Sequence, residues 1–259
     1  MRVSDVIGKK AIDLNVDIGE GFPHDRELLR FASSANVCCG VHAGSPDLTR
    51  ETVEMCRREK VRVGAHPGYP DRASMGRTSI APGQEREYLT SVFNQVKDFL
   101  PFEPEFVKPH GAFYNDTAIV LPANWQFAKR TKEAYTPYDM GGLFLAQYPG
   151  VQSLSMILRI TKLPLVGLAA TAHKPIAERA GQALVREGFA DRSYTAEGTL
   201  VARSEPSALI TDPVQVREQV LRLAPDVDTI CLHGDTKDCL EFAELVVKTL
   251  TDNGYGIGA

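Results

Sequence analysis

The sequence predicts an α/β fold of the closed-barrel kind, with about seven β/α units around one parallel sheet. Three observations carry that expectation. Short apolar runs alternate with longer amphipathic segments along most of the chain, the pattern of strands joined by crossover helices. No clear linker interrupts the rhythm, which favours one domain over residues 1–259. Each apolar run exits into His, Asp or Lys and then at once into Gly or Pro. An open, doubly wound sheet is the structural alternative, because periodicity does not distinguish a closed sheet from an open one.

The elements follow in order. "AIDLNVDI" opens as the first strand, and "SANVCC" follows as the second. Ser45, Pro46 and Asp47 read as an N-cap, a proline at the first helical position and an acid in the first turn, opening a helix to about Lys60. "VRVGAH" is the third strand. From Gln84 to Leu100, the residues Tyr88, Leu89, Val92, Phe93, Val96 and Leu100 share one helical face. "EFVKPH" is the fourth strand and "LPLVGLA" the fifth, with helical patterns at Lys174 to Arg186, Val214 to Leu223 and Asp238 to Leu250. "GFADRSY" and "TICLHG" complete the strands. Residues 116–150, which hold the only Trp, break the rhythm and read as a helix-containing excursion over one end, of the kind a lid would make.

Composition narrows the function. With 43% apolar residues the chain can bury a substantial core. The net charge is −4 and no run of Lys or Arg marks a nucleic-acid or membrane footprint. The longest apolar stretch, "LPLVGLAA", is far too short to span a bilayer. The opening "MRVSDVIGKK" has no apolar signal core. Five cysteines without a CxxC fit a cytoplasmic protein with reduced thiols. There is no GxxxxGK[ST] loop, no GxGxxG after a strand, no HExxH and no GxSxG.

In a parallel barrel the C-terminal strand ends converge on one mouth, where active sites form. Asp13, Asn15, Asp17, Glu20, His42, His66, Lys108, His110, His233 and Asp235 all stand at or near such exits. Asp13, Asn15 and Asp17 have the same parity and face one side of their strand. Three polar groups on an interior face are costly unless bonded or used. Lys108 and His110 also share parity, a cation for a carboxylate or phosphate beside a group that moves protons near neutral pH. Cys38 and Cys39 point to opposite faces of their strand, so they cannot jointly ligate an ion with His42 and are expected to pack.

"DLNVDIGEG", "ANVCCGVHAGSP", "VGAHPGYPD", "VKPHGAFYN", "EGFADRSY" and "LHGD", in this order, resemble the LamB/YcsF family, whose members are also called 5-oxoprolinase A subunits. The resemblance runs from about Ile12 to Asp235. It implies a barrel of the glycoside hydrolase/deacetylase type. It also implies a part in the ATP-dependent opening of 5-oxoproline (pyroglutamate) to glutamate, with further subunits as partners and ATP as co-substrate. The residues that match the family motifs include Asp13, Asn15, Asp17, Glu20, Asn36, His42, His66, Lys108, His110, Asp191, Arg192, His233 and Asp235, together with Arg77. Departures stand at Val16, Cys38, Val41, Ser45 and Thr78, and the excursion is longer than the family's corresponding segment.

On this reading Asp17, Glu20, His42, His66 and His110 are the catalytic candidates. Asp17 or Glu20 would be the general base. Asp13, Asn15, Asn36, Arg77, Lys108, His233 and Asp235 would contact a small lactam, with Lys108 holding its carboxylate. Two rivals remain. One is a stand-alone metal-dependent amidohydrolase or deacetylase, with a divalent ion on Asp17, His42 and His66. The other is a non-catalytic subunit that binds ligand and assembles its partners.

Overall fold

The computed structural model describes residues 10–121, 147–236 and 238–258. The expected excursion therefore lies for the most part outside the described residues. Eight strands and eight α-helices follow in the order β1 (Ala11–Ile18), α1 (Asp25–Leu28), β2 (Ser34–Cys38), α2 (Pro46–Glu59), β3 (Arg62–His66), α3 (Glu85–Phe99), β4 (Phe106–Val107), α4 (Gly111–Thr117), α5 (Pro149–Thr161), β5 (Leu165–Gly167), α6 (His173–Ala180), β6 (Leu184–Phe189), α7 (Pro213–Leu223), β7 (Thr229–His233), α8 (Cys239–Asp252) and β8 (Gly256–Ile257) among the described residues.

Seven of these strands close a parallel barrel in sequence order, because β1 pairs with both β2 and β7. The expectation of a closed barrel is borne out. β8 adds a short ladder to the start of β1, where Ala11 faces Gly256 below the β1–β2 register that begins at Asn15. Among the described residues no helix is long and apolar enough to cross a membrane.

β1 shows how the sequence builds the ring. Ile12, Leu14, Val16 and Ile18 face outward and are wholly buried in the layer between sheet and helices. Asp13, Asn15 and Asp17 face inward, as their parity predicts. The interior is thus polar where the outer layer is apolar. Phe106 also fills it, on β4, and its ring occupies the space that a side chain at Gly64 would need.

Helix limits follow local chemistry. Ser45 caps α2 by accepting from the Leu48 amide at 3.1 Å, and Asp212 caps α7 by accepting from Val214 at 2.9 Å. The helix expected to run to Arg186 instead stops at Ala180, where Gly181 takes a left-handed turn. β6 then starts at Leu184, earlier than "GFADRSY" suggests. Arg186 and Glu187 hid this strand from a reading of apolar runs. Arg186 pairs outward with Asp228 at 2.6 Å, and Glu187 turns inward to Lys108 at 2.8 Å.

Candidate active site

The inward residues stack in layers set by the strand register. At the closed end Asp13 sits opposite Thr229. Its carboxylate accepts from Ser33 (2.6 Å), Ser34 (2.7 Å) and Thr229 (2.5 Å), and Arg62 approaches to 3.3 Å. One layer up, Asn15 receives Asn36 Nδ2 at 2.6 Å and Lys108 Nζ at 3.1 Å. At the top Asp17 is in register with Asn36 and His233, and Cys38 with His66.

Above this top layer a cavity of about 510 Å³ opens at the C-terminal ends of the strands. Asp17, Glu20, Arg77, His66, Lys108, His110, His233 and Asp235 of the sequence candidates line it. His42 is fully buried just beneath, its ring stacked on His110 at 3.9 Å and 6°. Gly68 makes room for it, since a Cβ there would stand 2.6 Å from His42 Nδ1. Asp13, Asn15 and Asn36 do not reach the cavity, and their side chains are spent on the interior network below.

Lys108 is also committed to that interior. Its ammonium lies 2.9 Å from Asp17 Oδ1, 2.8 Å from Glu187 Oε1 and 3.0 Å from Cys231 Sγ, with the Phe189 ring 5.2 Å away. The expectation that Lys108 holds a substrate carboxylate meets an obstacle here. Two protein carboxylates already claim the charge. Burial would lower its pKa, but Asp17, Cys231 and Glu187 prevail and hold it well above the usual lysine range. Burial would likewise raise Asp17, and Lys108, with His66 and His233, holds it well below the usual carboxylate range. Asp17 Oδ1 is thus tied to Lys108 and Asn36. Its Oδ2 faces only the Nε2 atoms of His66 (3.6 Å) and His233 (3.8 Å).

The hydrogen bonds of the histidines fix where protons sit. His233 Nδ1 donates to Asp191 at 2.9 Å, which leaves Nε2 turned to Asp17 and the cavity. His66 Nδ1 donates to the Lys108 carbonyl at 2.8 Å, and His110 Nε2 to the Met75 carbonyl at 2.9 Å. Met75 itself takes a left-handed backbone, φ 55°, in presenting that carbonyl. Glu20 Oε1 lies 3.2 Å from His110 Nδ1 and 3.4 Å from His42 Nε2. Burial opposes charge on His42, but its contacts with Cys38 and Glu20 outweigh this and raise its pKa to about 9. Burial and the neighbouring His42 and His66 push His110 well below the usual imidazole range.

At the rim Asp235 accepts from Arg77 and Arg203, both at 2.6 Å. Burial alone would raise the Asp235 pKa; His233, Arg203 and Arg77 hold it below the ordinary value. The fourth cation of the lining, Arg192, is bound to the carbonyls of Val201 (2.7 Å) and Ala208 (3.2 Å). Arg203, Tyr114 and Glu187 escaped the sequence reading. Tyr114 donates to Glu187 at 2.9 Å; the two fall inside the motifs "VKPHGAFYN" and "EGFADRSY", but nothing local in either motif shows that they meet.

Two groups of side chains could hold a metal ion among the described residues: Glu20, His42, His66 and His110, and separately Asp17, Cys231 and His233. Of the metal candidates named from sequence, His42 and His66 fall in the first and Asp17 in the second. Cys38 and Cys39 diverge. Cys38 is buried with Sγ 3.9 Å from His42 Nδ1, whereas Cys39 borders a groove between α2 and α3.

A closed parallel barrel with carboxylates and bare imidazole nitrogens at its mouth defines a β/α-barrel protein equipped for acid–base chemistry. The LamB/YcsF family profile matches residues 12–138 and 151–259, and the chain belongs to that family. It is 33% identical to the 5-oxoprolinase A subunit of Haemophilus influenzae strain PittEE, over 96% of this chain and all of that protein. It is also 33% identical to the 5-oxoprolinase A subunit of Pyrococcus furiosus, over 95% of this chain and 96% of that one. Among solved structures it superposes on the lactam utilization protein of Thermus thermophilus with a TM-score of 0.73 and 29% identity, covering 96% of this chain and 99% of that chain.

Proposed function

We propose that this chain is the lactam-opening subunit of an ATP-dependent 5-oxoprolinase, working with partner subunits on 5-oxoproline or a similar small cyclic amide. The observation that carries the reading is the pairing of two features in one cavity. Asp17 Oδ2 and His233 Nε2 form an acid–base pair 3.8 Å apart, and the arginines at the rim are held by a single carboxylate, Asp235. A lactam that bears a carboxylate asks for both. The names carried by the relatives support the same substrate class.

An amide carbonyl is a poor electrophile because its nitrogen shares electrons with it. Transfer of phosphate from ATP to the lactam oxygen would remove that protection; water could then add at carbon, the C–N bond would break to leave an acyl phosphate, and a second water would release inorganic phosphate. The ring nitrogen must gain a proton as it leaves. Asp17, kept ionised by Lys108, suits proton abstraction from the water. His233, aimed by Asp191, would take that proton from Asp17 on its bare Nε2 and return it to the ring nitrogen. Arg77 and Arg203 would exchange part of their hold on Asp235 for the substrate carboxylate. Asp13, Asn15 and Asn36 would act beneath, by fixing Lys108 and Asp17 in place. No phosphate-binding loop motif occurs in the sequence, so nucleotide handling is assigned in part to the partner subunits.

The test is glutamate release from 5-oxoproline and ATP by the chain alone and by the chain reconstituted with its partner subunits. Turnover is expected only in the complex. Arg203→Met is expected to raise KM there by about tenfold or more. Full turnover by the chain alone would overturn the division of labour, and a complex without glutamate release would overturn the substrate. The convergence of Glu20 with His66 and His110 favours one second reading, a stand-alone metal-dependent hydrolase of cyclic or acyl amides. ATP-independent amide cleavage by the isolated chain would establish it instead.

A further inference from the structure

We propose that Glu20, His66 and His110 form a three-ligand centre for a divalent transition metal, with its open positions facing the cavity. The proposal deepens the reading of this cavity as the reaction site. Its grounds are independent of any lactam.

Proton accounting comes first. A carbonyl oxygen only accepts, so His66 must carry its proton on Nδ1, toward Lys108 O, and His110 on Nε2, toward Met75 O. In the neutral rings the remaining nitrogens, His66 Nε2 and His110 Nδ1, present lone pairs. These two atoms face each other at 2.9 Å. Glu20 Oε1 adds a third electron-rich atom, 3.2 Å from His110 Nδ1 and 3.9 Å from His66 Nε2. Three acceptors so placed repel one another unless a cation stands among them. The tethers on the outer nitrogens are of the kind that orient imidazoles toward metals.

The spacing fits an ion. Ligands at ~2.0–2.1 Å in a tetrahedron lie about 3.3 Å apart, and the three edges of 2.9, 3.2 and 3.9 Å bracket that value. Two imidazoles and one carboxylate suit zinc and its neighbours rather than calcium or magnesium. All three ligands border the cavity, so the remaining positions open to solvent or substrate.

His42 is not a fourth ligand. Its ring lies parallel to His110 at 3.9 Å, so an ion in the His110 plane stands a stacking distance off the His42 plane. His42 serves instead as a partner of Glu20, at 3.4 Å. The second group, Asp17, Cys231 and His233, is unsuited for a different reason. The Lys108 ammonium, 2.9 Å from Asp17 and 3.0 Å from Cys231, already fills the cation position.

The experiment uses the full chain stripped with chelator and titrated with Zn²⁺ against a chromophoric competitor, with Co²⁺ as spectroscopic probe. One Zn²⁺ per chain with Kd below ~1 µM is expected. The melting temperature should rise on adding it, and Co²⁺ should show the d–d bands of a low-coordinate site. Glu20→Gln and His110→Ala are each expected to weaken Zn²⁺ binding by about a hundredfold or more. Cys231→Ser and His233→Gln are expected to leave it within a few-fold. Substoichiometric binding overturns the proposal, as does binding that survives the ligand variants or follows Cys231 and His233. If a ligand variant does not fold, the Co²⁺ spectrum and the Zn²⁺-dependent melt of the unsubstituted chain still decide. Lactam turnover by a complex whose chain binds no Zn²⁺ overturns the metal centre and leaves the substrate reading standing. Stoichiometric Zn²⁺ in a chain whose reconstituted complex releases no glutamate upholds the metal centre and removes that reading.

Discussion

Asp13 and Asp17 enter the same barrel from the same face of β1, and the difference between them lies in what their second oxygens meet. Every contact of Asp13 is with a donor: three hydroxyls and an arginine. Asp17 shares one oxygen with Lys108 and Asn36 and turns the other to imidazole nitrogens that His66 and His233 leave bare. One carboxylate is saturated, the other has valence to spare. Saturation by donors marks a residue that holds a barrel together, and unspent valence marks one that can act.

The largest effect that could break this contrast is catalytic. In the reconstituted complex, Asp17→Asn is expected to lower kcat by ~10²–10⁴, measured as glutamate release. A variant with near-normal kcat would end the claim for Asp17. Lys108→Met comes next. It leaves Asp17 and Glu187 buried without their cation, and a loss of about 3–5 kcal/mol in denaturant unfolding is expected. Lys108 as a substrate anchor would give a stable protein with weak binding, which is the outcome that would revive the sequence-based role. Asp13→Asn is expected to cost about 1–3 kcal/mol, with kcat per folded molecule preserved. A specific loss of kcat there would erase the distinction between the two ends.

The smallest effect concerns pH. Asp25 receives the Gly19 amide on one oxygen at 2.8 Å, while its other oxygen is buried without a partner. Burial raises its pKa from 3.8 to about 6, against the help of Gly19. A raised folded-state value means that the stability it contributes is fully present below about pH 4 and lost as pH climbs through 6. Unfolding free energy should therefore drop by about 1 kcal/mol between pH 5 and 7 on this account. Asp25→Asn should flatten that slope, and an unchanged slope would place the cause elsewhere.

Much of the ring was legible because strand parity and strand exits are local properties. The inward set of β1 and the gathering of His66, His110 and His233 at one mouth follow from spacing and from parallel connection alone. The direction of Lys108 was not legible, since it depends on Glu187 and Cys231 arriving from β6 and β7. β6 itself was obscured by the charges of Arg186 and Glu187, each satisfied only across the fold. Arg203 had no local signal either, as its importance comes from sharing Asp235 with Arg77. The expectations for residues 122–146 concern a segment outside the described residues.

Of the seven barrel strands, the one that carries Asp17 comes first in chain order and is among the last to be completed. Its ladder to β7 joins residues as far apart as Asp13 and Thr229, a separation of 216 positions. At a translation rate of ~5–20 residues per second, β1 waits roughly 10–40 s for that neighbour to be made. Until then the β7 side of β1 is an unpaired edge open to foreign strands, and Asp13 lacks its Thr229 donor. Ring closure is thus a late, long-range event, and the site it creates comes into being all at once when β7 seats.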